Sequence, residues 1–234
     1  VDPAHTGHND SNKGVAVSSW SDAMVQSGGA LTLKARRASG GEQALYSGTT
    51  AATEIGAMIH TAGAILATMP FSVEFRDVVL PNVSGPGGMH PSFWSMGINP
   101  ARTENEVETD FEGESFRMEF NEFLHTTGGS FSSFKDSGTT ITSIYDGQPH
   151  NLRLEITSTA RRWYVDGVLA RTLTRTHDYP AMPIYFLVTN HIADFASDPY
   201  DAAEWTAAGS TGASISIGGL HVCRQSGGTH YAPL

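Results

Sequence analysis

Residues Glu104 to Glu114 read E-N-E-V-E-T-D-F-E-G-E, and every second position is acidic: Glu104, Glu106, Glu108, Asp110, Glu112 and Glu114. The positions between them carry Val107 and Phe111 among small residues. Strict alternation is the period of a strand, in which side chains two apart share a face. As a strand, the stretch lines one face with carboxyls and turns Val107 and Phe111 to the other. Like charges a few ångströms apart raise one another's pKa, so one member of such a row can hold its proton near neutrality. A carboxylate beside a protonated carboxylic acid is the equipment for glycoside hydrolysis. The competing reading is an exposed strand edge, where Glu repels other edges.

The flanking sequence carries the same period. Downstream, over Phe116–Leu124, Phe116, Met118 and Phe120 alternate with Arg117, Glu119 and Asn121, and the short gap at Gly113 suits an antiparallel partner. Upstream, P-S-F-W-S-M-G (Pro91–Gly97) reads as an aromatic strand, and F-S-V-E-F-R-D-V-V-L (Phe71–Leu80) alternates until Pro81 stops it. Gly14–Trp20, Ala30–Arg36 and Ile55–Ala62 add strands, with a turn at Ser27-Gly28-Gly29. Ser130–Phe134, Thr139–Ile144 and Asn151–Thr157 continue the series. Arg162–Val165 and Val168–Leu173 flank Asp166-Gly167, the strongest hairpin signal in the chain. Ile184–Thr189 is an apolar run of strand length, and Ser214–Cys223 is a last strand with a glycine break or bulge. Residues 1–14 read as an irregular lead-in, 39–53 and 82–88 as loops, 201–208 as a short helix, and 225–234 as a loop tail. About a dozen strands joined by short turns, with no βαβ alternation and no fixed repeat, predict an all-β fold. It is an antiparallel two-sheet sandwich or jelly roll with a concave cleft.

The 234 residues suit one large sandwich domain spanning 1–234. A formal charge of −10 argues against nucleic acid or an anionic membrane as partner, and against a heavily sulfated or carboxylated polymer. No stretch approaches the ~18 apolar residues of a membrane span. The single cysteine, Cys223, cannot form an internal disulfide and argues against a structural zinc site. The chain begins Val1-Asp2-Pro3 without Met or an apolar signal segment, which reads as a processed or excised piece of something longer. There is no G-x-S-x-G, phosphate loop or dinucleotide fingerprint.

Three stretches together resemble glycoside hydrolase family 16, whose fold is a concanavalin-like jelly roll. Glu108-Thr109-Asp110-Phe111-Glu112 matches that family's E-x-D-x-E strand. Arg162-Trp163-Tyr164-Val165-Asp166-Gly167-Val168-Leu169 is similar to its W-Y-V-D-G hairpin, preceded by D-G-Q-P-H-N-L-R-L-E-I. Phe93-Trp94 stands where the family has an aromatic strand, and I-S-I-G-G-L-H-V-C-R-Q resembles its closing strand. The resemblance spans roughly residues 55–225. It implies a retaining endo-glycanase acting on an extracellular polysaccharide such as a glucan, a galactan or a bacterial exopolysaccharide. Glu108 would be the nucleophile, Glu112 the general acid/base and Asp110 the acid that tunes the pair. The unbulged triplet is closer to glucan-cleaving than galactan-cleaving members. A transglycosylase and a non-catalytic carbohydrate-binding module are the alternatives on the same fold.

The sequence departs from the family pattern in places. The early Y-G-x-x-E-x-R segment survives only as Val73-Glu74-Phe75-Arg76. The closing-strand Asp through which many members hold a structural calcium is replaced by Gly218 or Gly219, so a structural calcium is not supported by the sequence and no other cofactor is expected. No Trp follows the late Asn, where Val188-Thr189-Asn190-His191 stands.

Periodicity alone leaves the reacting pair open. Positions i, i+2 and i+4 share a face, so Glu104/Glu108, Glu106/Asp110 and Glu108/Glu112 are equally allowed. Retaining chemistry asks for carboxyls about 5–5.5 Å apart. Same-face neighbours repeat every ~6.8 Å, so i and i+4 lie about 13–14 Å apart at the backbone and must lean inward. Trp94 is a candidate sugar platform, against a core role. Asn121, His125 and Asn190 are candidate partners for substrate hydroxyls, against structural roles. Trp163 reads as core. A monomer is expected for this stretch of chain.

Overall fold

The computed structural model describes residues 15–17, 24–37, 54–60, 70–82, 89–97, 106–114, 117–125, 131–133, 140–174, 184–192, 213–225 and 231–233. All the regular elements among them are strands. They form two layers. In the first, β5 (Phe71–Val79) is flanked by β10 (Pro149–Ile156), β11 (Arg161–Val165) and β12 (Val168–Leu173) on one side. On its other side run β14 (Ala213–Ile217) and β15 (Gly219–Gln225), two halves of one closing segment broken at Gly218. Next come β3 (Ala30–Arg37) and β2 (Met24–Ser27). The second layer runs β4 (Glu54–His60), β13 (Ile184–Ile192), β6 (Met89–Gly97), β7 (Glu106–Glu114), β8 (Arg117–His125) and β9 (Phe131–Ser133). Pairing of Arg36 with Ile55 joins the layers along one edge. Every described pairing is antiparallel except that of β1 (Val15–Val17) with β4, which is parallel.

The core lies between the layers and follows the alternation. β5 contributes Phe71, Val73 and Phe75, and β10 contributes Leu152, Leu154 and Ile156. Facing them are Phe93 of β6, Val107 and Phe111 of β7, Met118 and Phe120 of β8, and Phe186 of β13. Edge-to-face ring pairs cross the gap at Phe75–Phe93 (5.5 Å) and Phe71–Phe186 (6.2 Å), a geometry aromatic quadrupoles favour. The Asp166-Gly167 turn has positive φ at both residues (50° and 78°), the type I′ geometry that matches strand twist.

Three expectations change. Of the strand expected at Thr139–Ile144, the described residues 140–144 form none: Ile141 makes a single bridge to Met118, and the chain then turns, with Tyr145 N–H donating to Thr142 O (3.1 Å). Asp146 Oδ1 accepts the Gln148 N–H at 2.8 Å, so side-chain-to-backbone bonding wins over strand pairing here. The tail is not all loop, because β16 (Tyr231–Pro233) pairs with Cys223–Gln225. The β7 strand runs through Gly113 to Glu114, which pairs with Arg117 at the start of β8. Close approach selects glycine at 113, since a Cβ there would sit 2.6 Å from Cδ of Pro91. The lead-in 1–14, the loops 39–53 and 83–88, the helix expected at 201–208, and Glu104 lie outside the described residues.

Candidate active site

β7 lies in the interior of the second layer, between β6 and β8. Its odd positions face the first layer. Val107 and Phe111 are fully buried there, and Phe111 meets Phe120 edge-on at 5.7 Å. Its even positions must therefore face outward, the only side on which a row of carboxyls avoids the apolar core. Glu108, Asp110 and Glu112 share that outer face. Register sets their neighbours: Met96, Trp94 and Ser92 of β6 stand across from Glu108, Asp110 and Glu112, and Phe123, Asn121 and Glu119 of β8 stand on the other side. Beyond β6, Tyr185, Leu187 and Thr189 of β13 continue the same rows.

An outer sheet face is ordinarily solvated, but this one is largely closed. Asp110 is 1% exposed, Trp94 6% and Asn121 0%. Glu108 and Glu112 are only partly buried, so the face opens to solvent at the two outer acids of the triplet. Asn121 donates from Nδ2 to Oε2 of Glu112 in a close contact. From the opposite layer, Trp163 of β11 donates its indole N–H to the backbone carbonyl of Asp110 at 2.7 Å. This bond passes through the core and anchors the peptide midway between Glu108 and Glu112. Trp94 Nε1 is buried with no hydrogen-bond partner on the protein, which leaves a donor on the acid-lined face. Glu119 stands directly across from Glu112, with Arg117 Nε at 3.4 Å from its Oε1.

The predicted site residues thus divide. Glu108, Asp110, Glu112, Trp94 and Asn121 come together on one face. His125 ends β8, paired with Glu106 and Phe131, and its side chain lies outside the described residues. Asn190 does not join them. It is fully buried on the inner face of β13 and donates from Nδ2 to Leu33 O at 3.0 Å. The reason is parity: Leu187 pairs with Trp94, so Thr189 shares the outer face and Asn190 falls on the other. Trp163 is core, as read. Sequence reasoning passed over Glu119. Its place opposite Glu112 follows from counting back along both strands from the connection between Glu114 and Arg117.

Neither closing-strand candidate position, Gly218 or Gly219, offers a side-chain calcium ligand, although the space beside Gly219 is open. Gly218 offers no carboxylate, and the space its side chain would fill is taken by Asp77, whose Oδ2 lies 2.8 Å from an ideal Cβ there. Among the described residues no group of three or more His, Cys, Asp or Glu is arranged to hold a metal ion. No helix among them is long and apolar enough to cross a membrane.

No protein-family model matches the chain, and no curated protein sequence matches it significantly. Solved structures do match. LamAcat from Zobellia galactanivorans superposes with a TM-score of 0.65 at 18% identity, over 95% of this chain and 88% of that one. A kappa-carrageenase from the same organism gives 0.64 at 14% identity, over 87% and 81%. SCLam, described as a non-specific endo-β-1,3(4)-glucanase from glycoside hydrolase family 16, gives 0.62 at 18%, over 93% and 82%. At these identities the likeness is one of fold: the chain has the β-sandwich architecture that these enzymes share.

Proposed function

We propose that the chain is a retaining, endo-acting glycoside hydrolase that cleaves internal bonds of an extracellular polysaccharide. The observation that carries the reading is the outer face of β7. There Glu108 and Glu112 reach solvent on either side of a buried Asp110. Two carboxyls flanking a sugar, one to attack and one to give a proton, are what the double displacement requires.

In this reading Glu108 attacks the anomeric carbon as the glycosidic C–O bond breaks. Glu112 gives its proton to the departing oxygen, leaving a glycosyl ester on Glu108. Glu112, now a carboxylate, takes a proton from water, which attacks the same carbon and returns Glu108 to its ionised form. Asn121 fixes the Glu112 carboxyl through its Nδ2 bond. Asp110 is held by the Trp163 bond to its peptide and separates the two reacting groups. The free indole N–H of Trp94 supplies a donor for a sugar hydroxyl, and sequestered polar groups of this kind favour hydroxyl-bearing ligands. The solved relatives include an endo-β-1,3(4)-glucanase and a kappa-carrageenase. The formal charge of −10 and the acid-lined face favour an uncharged glucan over a sulfated polymer.

The test is a reducing-end assay over uncharged and sulfated polysaccharides, with Glu108→Gln as control. Hydrolysis by the wild type, its loss in Glu108→Gln and an unchanged far-ultraviolet spectrum are expected. Proton NMR of the first product should show the anomeric configuration of the substrate. Wild-type-like turnover by Glu108→Gln would remove the assignment. Binding without release of reducing ends would replace it with a carbohydrate-binding module.

A further inference from the structure

We propose that Glu119 is a positioning residue for the acid/base, its buried carboxylate keeping the proton on Glu112. The inference rests on the reading of Glu112 as the group that donates and recovers the proton. A general acid must carry a proton at working pH, and a nearby like charge is one of the three ways to keep it there.

Glu112 and Glu119 are directly opposed across the β7–β8 pairing. Opposed side chains of an antiparallel pair have Cβ atoms about 4.5–5.5 Å apart. Glu119 is 3% exposed, so water screens the pair poorly. The charged groups that face Glu112, among the described side chains, come from two strands. β7 itself supplies Asp110 and Glu108, and β8 supplies Glu119 and Arg117. Of the described side chains of β6, the uncharged Ser92 and Trp94 face Glu112. Arg117 is opposed to Glu114, which makes it a diagonal neighbour of Glu112 at about 7–8 Å. The Arg117 Nε also lies 3.4 Å from Glu119 Oε1, so it offsets part of the Glu119 charge, and the directly opposed Glu119 is the part of this pair set nearest Glu112 by register. Asn121 opposes this effect, because a donor to Glu112 Oε2 favours the ionised form.

Two isosteric or near-isosteric variants separate these contributions. Glu119→Gln removes the nearer charge and leaves Arg117 in place. Arg117→Gln removes the farther one at a residue that is already partly exposed. Carboxyl-carbon NMR of protein carrying labelled glutamate follows the titration of Glu112, assigned by the loss of its resonance in Glu112→Gln. The midpoint is expected to fall by about one pH unit in Glu119→Gln and to rise by a smaller amount in Arg117→Gln. The alkaline limb of the kcat/KM profile should move in the same directions. An unmoved Glu112 midpoint in Glu119→Gln overturns the proposal. Should that variant not fold, an unmoved midpoint in Arg117→Gln overturns it. The titration needs no turnover, so a wild type that releases no reducing ends defeats the hydrolase reading while the NMR result still decides the role of Glu119.

Discussion

Replacing Trp163 by Phe should loosen the site from behind. Trp163 is the largest of the fully buried side chains, packed at 6.1 Å from the Phe120 ring, and its indole N–H is bonded to Asp110 O at 2.7 Å. Loss of a neutral hydrogen bond costs about 0.5–1.5 kcal/mol, and more where a buried acceptor loses its partner. Phe is smaller by about 40 Å³, and unfilled volume costs ~24 cal/mol per Å³, which adds about 1 kcal/mol. The lost apolar contact adds about another 1 kcal/mol. The sum is about 2–4 kcal/mol, a large share of the ~5–15 kcal/mol that stabilises a folded protein. For a chain of this size that lowers the melting temperature by roughly 5–15 °C. Urea denaturation followed by circular dichroism reads the loss as a lower midpoint at unchanged slope. The site should respond as well, because the lost bond holds the peptide between Glu108 and Glu112. A displacement of about 1 Å can cost ~100-fold in rate, so kcat should fall while KM changes little. Phe71→Leu is the control: it thins the core on β5 without touching β7. A stability loss under about 1 kcal/mol in Trp163→Phe would refute the packing argument. Equal loss of kcat in Trp163→Phe and Phe71→Leu would refute the specific link to the site.

The tie between the layers at Arg161 and Glu122 should behave as a buried ion pair. Both side chains are essentially inaccessible and Nε meets Oε2 at 2.6 Å, so Glu122→Gln alone should cost about 3–5 kcal/mol. The double variant Glu122→Leu/Arg161→Met should recover most of that in urea melts, and a double variant no better than the single one would contradict it. His150 should make stability pH-dependent. Burial opposes its charge, but Asp166 (2.7 Å) and Asp146 (3.1 Å) outweigh burial and raise its pKa above 6.5. The raised folded value means this contribution is complete below 6.5 and is lost as pH rises through the folded pKa. The two aspartates have the opposite sign. Asp146 is lowered by the Gln148 N–H and then by His150, and Asp166 is lowered, against burial, by the Asn151 N–H and His150. Their contribution is present above 3.8 and is lost as pH falls below it. Thermal melts from pH 5 to 9 should slope downward at the alkaline end, and His150→Gln should flatten that slope.

Much of this architecture is written in short-range pattern. The alternation of Glu108, Asp110 and Glu112 with Phe111 needs no partner strand to be legible, because the pleat alone assigns the faces. Asp166-Gly167 is legible because few residue pairs accept two positive φ values in succession. What escaped the sequence depends on register between distant strands. Asn190 sits one residue past Thr189, and its face is set by the pairing of Leu187 with Trp94, over ninety positions away. Glu122 falls in the apolar phase of β8 with Met118 and Phe120, a contradiction that the remote Arg161 resolves. Thr139–Ile144 has strand composition, yet the turn bonding at Asp146 and the single bridge to Met118 leave residues 140–144 no ladder to join.

The choice of the reacting pair is where burial adds what spacing lacked. A pair of Glu106 and Asp110 would ask a carboxyl that is 1% exposed to reach a polymer. That weighs against it and leaves Glu108 common to the two pairs that remain, with Glu104 or Glu112 as its partner. The partner can be identified by what each chemical step needs. A general acid matters when the leaving oxygen is a poor one, as in a polysaccharide, and matters little when it departs as a stabilised phenolate. Glu112→Gln should therefore lose about 10²–10⁴-fold on polysaccharide but form the glycosyl-enzyme from an activated aryl glycoside at nearly the wild-type rate. Glu108→Gln should fail on both, because no nucleophile remains. If Glu112→Gln hydrolyses polysaccharide normally, the proton comes from elsewhere on the acid row, and the Asn121 contact with Glu112 is structural.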